Sequence, residues 1–224
     1  MNKCFALLCM ALLACGNGTR EDKNLRNANG ETIDKTLDYR LETKGYKNGD
    51  ILFITCKSDL SSPISQATNS EYTHCGVFVR KKEGAYILEA FAGVELTPFS
   101  EFMQNRVGDL LLVMRLKERE KLMGKAKEPK FLKKGMKWLG KEYDGSFMWS
   151  DESLYCSELV FKMYEAIGVE LCATKKLKEF DFSSPEVKAE LQNRYGGEIP
   201  MEEPVVAPVD LIYSTLLDTV YYRK

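Results

Sequence analysis

Tyr155-Cys156-Ser157-Glu158-Leu159-Val160 is the stretch on which the fold turns. Downstream of Cys156 the apolar residues Leu159, Val160, Met163 and Ile167 recur at helical spacing, which puts all five side chains on one helix face. Gly168 supplies a stop. Cys156 then lies in the first turn, under backbone N–H groups that have no acceptor within the helix. The positive end of the helix dipole favours a thiolate there. The plain alternative is a buried free cysteine that only begins an apolar stripe, which is common.

The 224 residues are 44% hydrophobic with a formal charge of −1, a globular composition with no pull toward nucleic acid. Residues 115–141 hold eleven Lys and Arg against three Glu. The usual meaning is a solvated helix face; the less usual one is a surface that docks on anionic lipid or cell-wall polymer. There is one histidine, His74, so a mechanism that needs an imidazole has one candidate. A zinc site usually takes three or four ligands, and no CxxC or HxxxH spacing occurs, so neither metal nor cofactor is expected.

Residues 1–14 read as a signal sequence, with Lys3 in the n-region and an apolar run at 5–14 too short to span a membrane. Leu12-Leu13-Ala14-Cys15 resembles a bacterial lipoprotein box, which implies cleavage before Cys15, lipidation of that residue and loss of Cys4 and Cys9. The alternative is an ordinary signal with a coincidental cysteine. Gly16 follows the cysteine, and by resemblance to Gram-negative sorting rules that favours the outer membrane. The expected address is therefore the bacterial cell envelope, by an N-terminal lipid anchor in the membrane. Residues 16–44 are polar and charged and read as a tether. Residues 45–224 then form one domain.

Within it, Gly49-Asp50 reads as a turn and residues 51–56 as a buried strand. Residues 57–72 read as a loop or short helix. Residues 73–80 and 85–92 form a β-hairpin around Lys81-Lys82-Glu83-Gly84. A four-residue turn sets Glu89 opposite Gly76, one diagonal step from His74; a two-residue turn sets Glu89 opposite His74 itself. Either even turn aligns the two side chains, and Gly76 leaves open space beside His74. A short strand at 94–96, a helix at 98–104 and a central strand at 109–116 follow. Two helical segments, 118–127 and 129–139, divide at Pro129. Beyond the Cys156 helix come a helix from Ser184-Pro185 to Gly196-Gly197, an extended stretch at 199–208, a short helix at 209–217 and a strand at 219–222.

A thiol nucleophile needs a base within reach and a third group that orients the base. Cys156, His74 and Glu89 supply all three roles. Cys75 cannot partner His74, because adjacent strand residues face opposite ways. Cys56 lies within a strand and Cys172 beyond the helix end, neither electrostatically favoured. Against this, Cys56, Cys75, Cys156 and Cys172 allow two disulfides in any of three pairings, which would occupy Cys156.

Gly49-Asp50-Ile51-Leu52-Phe53, Tyr72-Thr73-His74-Cys75-Gly76-Val77, Ile87-Leu88-Glu89-Ala90, Tyr143-Asp144, the Cys156 stretch, and Pro208-Val209-Asp210-Leu211 with Ser214 and Val220 occur in one order. That order resembles the YiiX/YebB-type permuted papain-like proteins, relatives of the NlpC/P60 cell-wall hydrolases. The resemblance implies an α+β, circularly permuted papain-like fold, an antiparallel sheet packed against helices with histidine ahead of cysteine. It implies a Cys156-His74-Glu89 triad. Tyr155 stands where ordinary NlpC/P60 proteins have Asp, which matches the permuted branch and leaves it open whether Tyr155 supports the oxyanion or lines the substrate pocket; Tyr143 is a further candidate there. The expectation is a cysteine peptidase or amidase acting on cell-wall peptide. The alternatives are a lipid amidase or acyltransferase, with a lipid-like amide as substrate, and a non-catalytic binding module on the same fold.

Overall fold

Ile51–Cys56 (β1) carries the unbroken apolar run that a strand covered on both faces needs, and its first four residues have no exposure to water. The computed structural model describes residues 43–224. The signal sequence, Cys15 and all but the last two residues of the tether lie outside the described residues. Those two, Thr43 and Lys44, join Gly45 in a 3-10 turn at the domain's edge.

After β1 comes a short helix, Ser61–Thr68 (α1), within the segment expected to be loop or helix. The hairpin follows as His74–Arg80 (β2) and Ala85–Ala90 (β3), then Val94–Pro98 (β4) and the helix Phe99–Asn105 (α2). Val107–Leu116 (β5) is a ten-residue strand. With the last strand Leu217–Arg223 (β8), these form one antiparallel sheet in the order β4-β3-β2-β1-β5-β8. The long strand β5 is interior, as its apolar stretch requires, but one place in from the β8 edge rather than central.

Alternation sorts the two faces. Ile51, Phe53, Cys75, Val77 and Val79 point to one side, and Leu52, Ile54, Phe78 and Ile87 to the other. The second side is covered by Phe99 and Phe102 of α2. The first is covered by Gly124–Lys137 (α4) and Cys156–Glu165 (α5). Helix α5 is more deeply placed than its apolar stripe required: every residue from Cys156 to Tyr164 is buried. It ends at Glu165, and Gly168 takes φ +78 just beyond.

Two helix boundaries differ from expectation. The basic segment breaks at Met123-Gly124, between Arg119–Leu122 (α3) and α4, and Gly124 takes φ +49. Pro129 lies inside α4, in its second turn, where it forgoes a single backbone bond. Near the C-terminus the helix is only Pro208–Ile212 (α7), and Leu217 already belongs to β8, paired with Leu116. Sheet pairing outweighed the helical spacing there. Helix α6, Pro185–Tyr195, has the expected Ser184 cap, whose hydroxyl accepts from Val187 N–H. A two-stranded ribbon joins Lys175–Lys176 (β6) to Pro204–Val205 (β7).

The Gly49-Asp50 turn is pinned by charge. The fully buried Asp50 carboxylate accepts from Lys47 N–H at 2.8 Å and takes the Arg115 guanidinium in a two-pronged bond, both arms 2.7 Å. This ties the start of β1 to β5. Asp50→Ala is expected to destabilise the domain by about 3 kcal/mol, since it strands a partly buried guanidinium. Thermal unfolding reads this as a fall in Tm of roughly 6–12 °C. An unchanged Tm would mean that the turn is held by its backbone alone.

Candidate active site

The hairpin adopts the four-residue turn. Arg80 faces Ala85 and Gly76 faces Glu89, so His74 lies one diagonal step from Glu89 on the same face. Glu89 Oε2 is 2.6 Å from His74 Nε2, and both side chains are buried. Gly76 does not leave open space, as expected from sequence. A Cβ there would lie 2.4 Å from an Ile87 methyl and 3.2 Å from Glu89 Cβ. The missing side chain lets Ile87 and Glu89 close over strand β2, which brings the carboxylate to the ring.

The second oxygen, Glu89 Oε1, accepts a hydrogen bond from Thr97 Oγ1 at 2.6 Å and sits 3.5 Å from Arg106 Nε. The Arg106 guanidinium stacks 3.8 Å over the Phe91 ring, and Phe91 meets His74 edge-on with centroids 5.7 Å apart. Burial pushes the Glu89 carboxyl up, but the bond and charge of His74, helped by Thr97 and Arg106, outweigh it and hold the group below its ordinary value.

Cys156 is the first residue of α5, and Tyr155 is its extended N-cap at φ −98, ψ 168. The Tyr155 N–H donates to the Glu158 carboxylate at 3.4 Å, and Glu158 pairs with Lys162 at 2.8 Å. These contacts fix where the helix begins and so where the thiol points. The thiol and the His74 ring are close enough for each to shift the titration of the other. Since Nε2 is taken by Glu89, the nitrogen left for sulfur is Nδ1.

All four cysteines from Cys56 onward are free, so no disulfide occupies Cys156. Cys75 does face away from His74's side of the strand, but that turns it toward α5, and its thiol hydrogen-bonds the Cys156 sulfur. That bond, against burial and with the charge of His74, holds the Cys156 thiol well below its ordinary value. Burial opposes a charge on His74, yet the Cys156 and Glu89 charges on either side raise its pKa well above the usual imidazole range. Both shifts run in the direction of a thiolate beside an imidazolium. Burial instead pushes Cys75 and Cys56 up, and Cys172 to about 12.

Tyr155 and Tyr143 both line a pocket that opens at Cys156. The Tyr155 hydroxyl accepts from Val206 N–H at 3.2 Å, so it braces the segment before α7. The half-buried Tyr143 sits on the bridge to Leu154, and burial, with the Cys156 charge, raises its hydroxyl pKa. Sequence reasoning missed Thr97, Arg106 and Cys75. Strand parity was the available signal for two of them. Thr97 is two residues from Glu95, which faces Glu89, and Cys75 shares the face of Val77 and Val79.

Similarity to known proteins fits this geometry. Residues 45–221 match the model of the family described as permuted papain-like amidase enzyme, YaeF/YiiX, C92 family. The chain is 38% identical over 175 residues to the uncharacterized protein YiiX of Escherichia coli strain K12, covering 78% of this chain and 85% of that one. It also superposes on the crystal structure of metalloprotein yiiX from Escherichia coli O157:H7 with a TM-score of 0.72 and 37% identity, over 80% of this chain and 97% of that one. Among the described residues no group of three or more His, Cys, Asp or Glu side chains is arranged to hold a metal ion. At the centre itself the donors are bonded to one another. By the family match and by the identity to YiiX, the chain belongs to the permuted papain-like amidase family, YaeF/YiiX or C92.

Proposed function

We propose that this chain is a cysteine hydrolase that cleaves an amide bond, with Cys156 as nucleophile, His74 as general acid and base, and Glu89 as the group that orients the ring. One observation carries the reading: a buried carboxylate bonded to an imidazole whose charge acts on a buried thiol at the first turn of a helix. The Cys156 thiolate attacks the carbonyl carbon, and the C=O pair moves to oxygen. Cys156 N–H, at a helix start and without a helical acceptor, is the donor nearest that oxyanion. His74 then gives its proton to the leaving nitrogen as the C–N bond breaks. A thioester remains. Water, deprotonated by His74, attacks it, and the acid leaves as the thiolate re-forms. Glu89 holds the tautomer and balances the imidazolium.

The substrate classes drawn from sequence are cell-wall peptide and a lipid-like amide, met at the cell envelope by a chain anchored through lipid on Cys15. The Leu12-Leu13-Ala14-Cys15 box supports this address. Radiolabelled palmitate should enter the protein expressed in a Gram-negative host and be lost in Cys15→Ala; equal labelling of the variant would remove the anchor.

Because its thiol is held low, Cys156 should alkylate with iodoacetamide at a rate nearly flat from about pH 7 to 9, where an ordinary thiol climbs. The rate should drop as pH falls through the lowered pKa. His74→Ala should restore part of the climb, since Cys75 still acts on the thiol. Mapping by mass spectrometry checks the site, and preferential labelling of Cys172 would contradict the assignment.

In turnover, Cys156→Ser and His74→Ala should each lose about 10²–10⁴-fold or more, since there is no second histidine to stand in. Glu89→Gln should lose less, because an amide can keep one hydrogen bond to the ring. Amine release from peptidoglycan fragments and from a fatty-acyl amide measures it. Full activity of Cys156→Ser would end the nucleophile reading, and binding of both substrates without turnover by the wild type would favour a binding module.

A further inference from the structure

The basic stretch at residues 115–141 is not used by the centre at Cys156, and most of it folds as α3 and α4. Several of its cations are engaged within the domain. Arg115 holds Asp50, Lys117 holds Asp218, Arg119 holds Glu128, Lys121 holds Glu118 and Lys134 holds Asp151. Lys127 and Lys141 donate to the carbonyls of Ile167 and Glu152. Lys125, Lys130, Lys133 and Lys137 of α4 are different. All four are exposed, and among the described residues none of them makes an ion pair or a side-chain hydrogen bond.

These four share one face. Phe131, Gly135 and Trp138 turn into the core, and at about 100° per residue the four lysines fall on the opposite side of the helix. Ala126, Pro129 and the half-buried Met136 occupy the same arc, so no acidic residue interrupts it. Glu128, the one acid in α4, is engaged by Arg119 and Asn48. Lys130 and Lys133 stand three residues apart and Lys133 and Lys137 four, spacings at which like charges repel and weaken a helix. The arrangement therefore does not serve the fold. Since the whole chain carries a formal charge of −1, the pull of this face on an anion is local.

Which anion the face fits follows from its side chains. It has no Arg to clamp one carboxylate or phosphate in two prongs, no Asn or Gln, and no exposed aromatic ring. Lysines on flexible stems are point charges, suited to many shifting headgroups at once rather than to one fixed ligand. The exposed Leu139 just beyond Lys137 adds an apolar side chain at the end of the row, as interfacial helices do. The path of the chain points the same way, because its entry into the domain is fastened beside this helix. Gly45 C=O accepts from Arg115, Asn48 is bonded to Arg119 and Glu128, and Gly49 lies against Met123. We propose that the Lys125, Lys130, Lys133 and Lys137 face of α4 docks on a bilayer surface of anionic phospholipid headgroups. Docking holds the domain against the membrane to which the proposed Cys15 anchor ties it, and it is independent of the nucleophile reading.

The test is flotation of the full chain, carrying Cys15→Ala so that no lipid anchor contributes, with vesicles of phosphatidylcholine alone or with about 30 mol% phosphatidylglycerol. The apolar run at residues 5–14 is common to every variant and meets both vesicles, so the ratio of the two partition coefficients reports charge. That ratio should be at least about 50-fold, since each lysine near an anionic surface adds to binding. It should fall several-fold at high salt, which screens exposed charges. Lys125→Gln, Lys130→Gln, Lys133→Gln and Lys137→Gln together should lower it at least about tenfold, and Gln keeps the helix. Should that variant fail to fold, Lys133→Gln with Lys137→Gln takes its place, with a fall of at least about fivefold expected. Lys81→Gln, Lys82→Gln, Lys188→Gln and Lys224→Gln together remove the same charge from exposed positions elsewhere and should leave the ratio within about twofold. A ratio near one for the chain with its lysines intact, or an equal fall in both sets of variants, would overturn the lipid face. So would binding to purified peptidoglycan sacculi that is lost in the α4 variant while the vesicle ratio stays near one, which would assign the face to cell-wall polymer.

Discussion

A carboxylate shut away from water and set 2.6 Å from an imidazole is the contact on which the rest of this molecule depends. A charge so buried is tolerated only when it is paired and its lone pairs are filled. Each oxygen of Glu89 has its own partners: His74 on one side, Thr97 and Arg106 on the other. Those partners come from β2, from β4 and from the residue that follows α2. The order of strands at this end of the sheet, the bare Cα of Gly76 and the packing of Phe91 between ring and guanidinium all serve that one group.

The thiol depends on the same contact at one remove. With Nε2 occupied, the ring is held in one orientation and offers its other nitrogen to α5. The helix supplies its own alignment through Tyr155, Glu158 and Lys162. Glu158 is lifted to about 7 by burial, partly offset by Lys162, so the helix start is kept by a carboxyl close to losing its charge. The strap at Val206 is bonded by both Tyr155 and Ser157, which flank Cys156 in sequence. Pocket wall and thiol are thereby parts of one bonded unit.

Much of this was legible from local pattern. The 3.6-residue spacing after Cys156 and the Gly168 stop gave the central helix, and strand parity with a four-residue turn gave the His74–Glu89 pairing. The order of the short motifs gave the family and the permuted fold. What stayed hidden depended on distant partners. Cys75 could be excluded as a partner for His74 but not located against Cys156, because parity says which face a residue takes and nothing about what lies there. Gly76 looked like room and proved to be a contact surface for Ile87. Leu217 kept helical spacing from α7 and was drawn into the sheet by its pairing with Leu116. Pro129 carried a helix-start signal, but the break fell at Gly124, whose positive φ only the folded chain displays.

His74 and Glu89 are 15 residues apart on one hairpin, whereas Cys156 belongs to a helix much later in the chain. Short loops close early and distant contacts close late. The His74–Glu89 pair therefore closes at little cost in chain entropy, whereas the surroundings of the Cys156 thiol require α5 to dock on the sheet. The low thiol pKa is thus a property of the docked helix: an opening that lifts α5 from the sheet would return Cys156 to an ordinary, poorly ionised thiol.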